Sequence, residues 1–155
     1  MARALIFSGL LLLASFYAIA RGGKPERYAA FMYLAAFVAS VLSAQFGSEL
    51  YHSINWGIAA ADLTLAVSLG ALALHANRYW TIWASSIQIV AILAHLAKLM
   101  VPEIAATAYE ITLLVWSYAV IPLLTVATYR HRQRLKSTGE DLEWSQSDNG
   151  QARSG

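Results

Sequence analysis

Three polar side chains at seven-residue intervals lie inside a hydrophobic stretch of the sequence. Thr81, Gln88 and His95 follow one another at this spacing, and Lys98 comes three residues after the histidine. Seven residues make almost two turns of an α-helix, so on a helix these side chains share one side. An imidazole exchanges protons near neutral pH, and an ionisable group within a membrane span is a candidate for a binding or proton-transfer site.

Two carboxylates are placed to meet this polar row from neighbouring hydrophobic segments. Asp62 lies about one third of the way into the preceding segment, and Glu110 lies near the start of the following one. We predict that Asp62 pairs with His95 or Lys98, because an isolated charge at mid-bilayer costs about 2.5–3.5 kcal/mol. A structural cluster and a protonatable or ligand-binding site are both open interpretations. The predicted polar cluster consists of Asp62, Gln88, His95, Lys98 and Glu110.

Metal or haem binding is a further possibility raised by the histidines. His52 lies in the loop at the same end of the segments as His95, and with Glu49 or Asp62 the two histidines offer zinc ligands. Axial haem ligation would require the two imidazoles to oppose each other. The spacing H-E-x-x-H does not occur in the chain, and we predict no resident metal or cofactor.

Nucleophilic catalysis has no support in the sequence. The chain has no cysteine, which excludes disulfides, thiolate catalysis and iron–sulfur clusters. Ser85 and Ser86 lack the G-x-S-x-G context of a nucleophile elbow, and the short loops leave no soluble domain for chemistry. We therefore predict that the protein is not an enzyme.

The hydrophobic segments that carry these residues are typical of membrane-spanning helices. The 155 residues are 58% hydrophobic and 13% charged, whereas a soluble domain has about 25% charged residues. The hydrophobic runs are about 17–25 residues long, which is the length of a helix that spans a bilayer core of about 30 Å. Backbone polar groups in lipid must be satisfied within each run, which favours helices. No run alternates polar and apolar residues as a membrane β-strand does. The predicted spans are 4–20, 28–46, 54–74, 79–100 and 105–129.

The predicted fold is an all-α bundle of five transmembrane helices over residues 1–136. Residues 137–155 are polar and rich in Ser and Gly, and we predict a disordered cytoplasmic tail. In the fourth span, Ile82, Ile89 and Leu93 lie opposite the polar row. We expect the polar row to face the other helices and the bulky side chains to face lipid.

Small and aromatic residues predict how the helices pack and where they meet the headgroups. Small residues recur at four-residue spacing over 36–44 and 60–68, which favours close helix packing. Pro122 should kink the fifth span. Tyr79, Trp80 and Trp83 are expected interface anchors.

The basic residues predict an orientation with the N-terminus outside and the C-terminus in the cytoplasm. Eight Lys and Arg residues flank the span ends on one side, whereas Arg3 and Lys98 lie on the other, and the basic side is cytoplasmic by the positive-inside rule. His131, within the basic segment after the fifth span, is expected to be solvated. An alternative is that residues 1–20, ending in Ala-Ile-Ala, are a cleaved signal peptide. Cleavage would place the basic residues of segment 21–27 and those after the fifth span outside, which opposes the positive-inside rule.

These features favour a non-enzymatic integral membrane protein that acts through helix–helix association, as an accessory subunit of a larger membrane complex or by self-association. One alternative is a small transporter or channel component with a polar path along the fourth span. A second is haem or quinone binding in the outer leaflet. Nothing in the charge distribution indicates nucleic-acid binding.

Three stretches of the chain resemble small, uncharacterised polytopic inner-membrane proteins of sphingomonad-type alphaproteobacteria. They are RGGKPERYAA at 21–30, ADLTLAVSLGALALHANRYWTIWASSIQIVAILAHLAKL at 61–99 and VWSYAVIPLLTVATYRHR at 115–132. The resemblance implies location in the bacterial inner membrane. It implies no activity and no site residues, because none is assigned to that group.

Overall fold

The computed structural model describes residues 2–46, 55–76, 78–101 and 103–139. All elements within these ranges are α-helices, and all five helices are long and apolar enough to cross a membrane. The predicted all-α, five-helix class is therefore confirmed. The helices are α1 Ala2–Arg21, α2 Lys24–Phe46, α3 Trp56–His75, α4 Tyr79–Met100 and α5 Ala106–Thr138.

Local chemistry accounts for the start of α3 and the end of α5. The side-chain oxygen of Asn55 accepts hydrogen bonds from the backbone N–H groups of Gly57 and Ile58, at 3.1 and 3.2 Å, and so caps the start of α3. The same amide donates to the carbonyl of Ser43 at 3.2 Å, which ties this cap to α2. Gly139, with φ of 75°, ends α5 in the left-handed conformation that favours glycine.

The last helix is longer than the sequence predicts. α5 continues through Pro122 and runs nine residues beyond the predicted end of the span at Tyr129. The extension covers the basic segment, whose Arg, Gln, Leu and Lys residues all favour helix. The prediction that His131 is solvated is wrong, because this residue of the extension is only 7% exposed. The predicted tail at 137–155 begins within this helix, and residues 140–155 are not among those described.

The five helices form a closed ring around a central axis. Each helix packs against its neighbours in chain order, α5 packs against α1, and α2 and α5 make a smaller contact across the ring. Ala14, Ala18, Ala29 and Ala30 are buried where α1 meets α2, near the turn that joins them. Because lipid tails are as apolar as leucine, such small residues stabilise helix pairs through close packing and not through the hydrophobic effect.

The largest fully buried apolar side chains lie towards one end of the ring. Leu69 and Leu124 are almost fully buried there, together with Leu72 and Ile121. This apolar core lies towards the α1–α2 and α3–α4 connections, which is the end of the bundle that carries most of the basic residues. Its position leaves the other half of the ring interior free to hold polar groups.

The orientation of α4 matches the prediction from its sequence. Its buried residues include Thr81, Gln88 and His95 of the predicted polar row, together with Ala84, Ala91 and Lys98 beside them. Ile82, Ile89 and Leu93 on the opposite face are 51–54% exposed. The polar row therefore turns into the bundle, as an intramembrane polar face is expected to do.

Candidate functional site

Asp62 is at the centre of the polar cluster. It lies six residues after the start of α3, about 9 Å along the helix axis, and its side chain is 20% exposed. Gln88 Nε2 donates to Asp62 Oδ1 at 3.0 Å and lies 3.4 Å from the backbone oxygen of Asp62. His95 Nε2 lies 2.9 Å from Asp62 Oδ2. Both oxygens of the carboxylate are thus held by residues of α4, and the predicted Asp62–His95 contact is present.

A tyrosine completes the cluster from α5. The hydroxyl of Tyr109 lies 2.5 Å from Nδ1 of His95, and the two rings meet edge to face with centroids 5.6 Å apart. Tyr109 is 5% exposed and His95 is 6% exposed. Three helices therefore contribute to one chain of contacts, from Gln88 through Asp62 and His95 to Tyr109, which we call the Asp62 network.

The contacts of the Asp62 network are compatible with two protonation states of His95. With neutral His95, Nε2–H donates to Asp62 and Nδ1 accepts the Tyr109 hydroxyl proton, so every donor points towards the carboxylate. With protonated His95, both ring nitrogens donate and the imidazolium forms an ion pair with Asp62. The same geometry accommodates the gain of a proton, which is a requirement for a proton-linked site.

Lys98 and Glu110, the other two residues of the predicted cluster, occupy different positions. The Lys98 ammonium group donates to the carbonyl oxygen of Ile104 at 2.6 Å, and so binds the connection between α4 and α5. Glu110 follows Tyr109 on α5, and its carboxylate makes no hydrogen bond or ion pair with another described residue. Lys98 thus stabilises the connection at this end of the bundle. The Glu110 carboxylate can instead pair with a group outside the described residues.

A central cavity of about 840 Å³ adjoins the Asp62 network. All five helices line it, from Arg3 and Asn55 at one end of the bundle to Leu11 and Val120 at mid-span. Most of its wall is apolar. The volume is within the usual range for small-molecule pockets, which are mainly apolar with a few placed polar groups. The polar or ionisable residues on its wall include Arg3, Tyr33, Ser40, Asp62, Gln88 and Glu110.

Sequence reasoning missed two residues of this site. Tyr109 lay in the fifth predicted span but was not connected with His95. Tyr33 lines the cavity at 5% exposure, and its hydroxyl has no hydrogen-bond partner among the described residues. Both tyrosines lie in hydrophobic segments that each contain several aromatic residues, so no local signal separates them from interface anchors.

A second polar contact lies near the opposite end of the bundle. Trp80, predicted to be an interface anchor, donates from Nε1 to Oε1 of Glu26 at 3.0 Å. Glu26 is fully buried, and its Oε2 has no partner within the described ranges. Tyr79 and Trp83 are 87% and 67% exposed, as anchors should be. Trp80 instead joins α4 to the start of α2.

The described part of the chain provides no site for the metal or haem that the sequence analysis considered. No group of three His, Asp or Glu side chains there is arranged to hold a metal ion. His52 and Glu49 lie outside the described ranges. Both ring nitrogens of His95 are engaged, by Asp62 and Tyr109.

The fold and its apolar surface define a multi-pass integral membrane protein. Large hydrophobic side chains are exposed along all five helices, as expected for surfaces that contact lipid. No protein-family model, curated protein or solved structure matches the chain.

Proposed function

We propose that the protein binds a small ligand in its central cavity and that the Asp62 network couples this binding to the uptake or release of a proton. This is the transporter-type alternative raised by the sequence, and it involves no enzymatic step. The observation that carries it is the position of Asp62, an ionisable residue within a membrane span, on the wall of a cavity and in contact with a histidine. Ionisable groups inside membranes typically mark solute or proton pathways.

The cavity favours this interpretation over a purely structural role for the polar residues. Polar side chains that only join helices need a packed seam, where each group finds a partner across a short gap. Here Gln88 and Asp62 satisfy each other and still border a space large enough for a small molecule. Glu110 and Tyr33 also border it without partners among the described residues.

The absence of cysteine in the chain allows a direct test of the cavity. Ser40→Cys places a thiol on the cavity wall, and Ser86→Cys places one on the exposed face of α4 as a matched control. We expect a water-soluble thiosulfonate reagent to label the first variant much faster than the second. Equal and negligible labelling of both would contradict a water-accessible ligand site.

Proton linkage is tested separately in proteoliposomes. Asp62→Asn keeps the side-chain shape and removes the negative charge, whereas Glu103→Gln alters an exposed acid at the same end of the bundle that does not line the cavity. With a pH-sensitive dye inside the vesicles, we expect proton flux from the parent and the Glu103 variant and loss of flux with Asp62→Asn. Absence of flux with the parent protein would remove the transport part of the proposal.

The accessory-subunit hypothesis is the second candidate, and a groove between α2 and α3 favours it. The groove has a volume of about 300 Å³, and small residues make up most of its wall. Thr64 and Ser68 donate to carbonyls of their own helix, so they do not hold another side chain there. A small-residue groove suits a transmembrane helix from a partner or a second copy. Its walls include Ala35, Ala36, Ala39, Ala61, Thr64 and Ser68.

Purification from the native membrane in a gentle detergent tests this second candidate. A stoichiometric partner that is lost with Ala39→Phe, and retained with a bulky substitution at exposed Leu93, would support association through the groove. A homogeneous particle that contains a single copy of this chain and no partner would count against it.

A further inference from the structure

We propose that the ligand of the central cavity is an amphipathic organic cation, with one positive charge on an apolar and preferably aromatic body. This inference rests on the proposed function, since it names the chemical class that the same cavity would accept. It is supported by three separate features of the wall: its charge, its aromatic rings and one unpartnered hydroxyl.

The charged groups on the wall favour a cation. Asp62 on α3 and Glu110 on α5 both border the cavity, and Arg3 on α1 is the one Lys or Arg side chain among its described lining residues. Asp62 already accepts two hydrogen bonds, but Glu110 has no partner among the described residues. The space therefore carries more negative than positive charge when His95 is neutral, and Glu110 is the group free to pair with a ligand.

The apolar part of the wall is suited to the body of such a ligand. Aromatic rings from three helices line the cavity, including Phe7 on α1, Tyr33 and Phe37 on α2, and Trp116 on α5. Ring faces attract cations through their quadrupole, and they also provide large apolar contact area. A strongly hydrated inorganic cation would gain little from this wall, whereas an organic cation with aromatic groups would contact all of it.

Tyr33 provides the independent sign that a ligand is held here. The side chain is 5% exposed, it lines the cavity, and its hydroxyl has no partner among the described residues. A buried hydroxyl without a hydrogen bond is destabilising, so such groups are rare in native structures and call for an explanation. A bound molecule with an acceptor or a polarised group next to this hydroxyl would satisfy it.

Ligands of other charge fit the wall less well. An anion would face the carboxylates of Asp62 and Glu110 with Arg3 as its single opposite charge. A neutral hydrocarbon would leave Glu110 and Tyr33 without partners. The combination of carboxylates with aromatic and aliphatic residues thus points to the organic cation.

Two ions of nearly the same size and shape but opposite charge test the assignment. Tetraphenylphosphonium and tetraphenylborate would be titrated separately against the full chain in detergent micelles by equilibrium dialysis, with empty micelles subtracted. We expect saturable binding of the phosphonium and no saturable binding of the borate. Equal saturable binding of both ions, or of the borate alone, would overturn the assignment.

Variants at the charged residues then test how the cation is held. Glu110→Gln should weaken phosphonium binding about fivefold, the size expected for one partly exposed charge pair. Arg3→Gln should strengthen it, because it removes a like charge from the wall. Glu103→Gln is the control and should leave affinity unchanged, since Glu103 does not line the cavity. Glu110 has no partner among the described residues, so its substitution should leave folding intact; equal affinities for the Glu110 and Glu103 variants would overturn the assignment.

Labelling of Ser40→Cys separates a failure of this inference from a failure of the proposed function. Phosphonium should slow labelling of the cavity thiol in proportion to its occupancy. Protection by the borate and not by the phosphonium would overturn the cation class and leave the cavity a ligand site. A cavity thiol as unreactive as that of Ser86→Cys, with no binding of either ion, would overturn both.

Discussion

At the scale of single residues, the protein stabilises one carboxylate within a membrane span by surrounding it with donors. Gln88 and His95 each contact one oxygen of Asp62, and Tyr109 contacts the far side of the imidazole. Removal of one member takes a hydrogen bond from its neighbour, and where the neighbour's polar atom is buried this costs more than the hydrogen bond itself contributes. The Asp62 network should therefore behave as a unit.

We predict that His95→Ala destabilises the folded protein by about 3 kcal/mol, because it removes two contacts at once, one with an Asp62 oxygen and one with the Tyr109 hydroxyl. Tyr109→Phe should cost about 1–3 kcal/mol, since it leaves Nδ1 of the buried His95 without the hydroxyl. Leu96→Ala on the exposed face of α4 provides the control and should change stability much less. Reversible unfolding in mixed micelles measures all three. A His95→Ala protein as stable as the Leu96 control would show that the network does not stabilise the fold.

At the scale of the elements, the tight α1–α2 turn decides how closely the first two helices pack. The backbone N–H of Gly22 donates to the carbonyl of Ala18 at 2.8 Å. A Cβ atom added to Gly22 would lie 2.5 Å from that carbonyl oxygen and 2.7 Å from Cβ of Glu26. Since the first of these is a backbone atom, the contact cannot be relieved by a rotamer change. Glycine is therefore required here for close approach of the chain.

The chain contains a matched pair of glycines for testing this requirement. Gly22→Ala should destabilise the protein by about 1–3 kcal/mol, the usual cost of a steric clash in a packed region. Gly9→Ala should be neutral or stabilising by up to about 1 kcal/mol, because nothing lies within 4 Å of its added Cβ and alanine favours helix. Thermal unfolding of the two variants side by side gives the comparison. Equal midpoints would mean that the turn adapts without cost.

At the scale of the whole molecule, the ring of helices separates two environments along the membrane normal. The Asp62 network and the cavity lie towards the end that contains Arg3 and Asn55, whereas the apolar core and most basic residues lie towards the other. We propose that the protein resides in a bacterial inner membrane with the basic end in the cytoplasm, which would open the cavity side towards the periplasm. The support for this orientation is the excess of Lys and Arg at that end.

Cysteine substitutions at the two ends test the orientation. Glu103→Cys lies in the α4–α5 connection and Ser137→Cys lies near the end of α5, and both residues are exposed. A membrane-impermeant maleimide should label the first variant in intact spheroplasts and the second only after permeabilisation. The reverse pattern would place the cavity side in the cytoplasm and contradict the positive-inside assignment for this protein.

Much of the architecture could be predicted because membrane helices carry their constraints locally. Each span must satisfy its own backbone hydrogen bonds, so length and hydrophobicity identify all five helices. The seven-residue spacing of Thr81, Gln88 and His95 also predicted which face of α4 turns inward, since helical periodicity alone decides which residues share a face. The end of α5 was predicted less well, because its basic extension has helix-forming residues but no hydrophobic signal.

The sequence by itself thus determined the membrane class, the five helices and the inward face of α4, whereas the contacts between helices were decided by the tertiary structure. Sequence reasoning offered His95 and Lys98 as partners of Asp62, and it did not connect Tyr109 with the histidine or Tyr33 with a cavity. The reason is that hydrophobic periodicity specifies how one helix faces the bundle but not its height or rotation relative to the next. Those depend on the packing of small residues and on the turns, such as the one at Gly22, and they bring side chains from α3, α4 and α5 to one point.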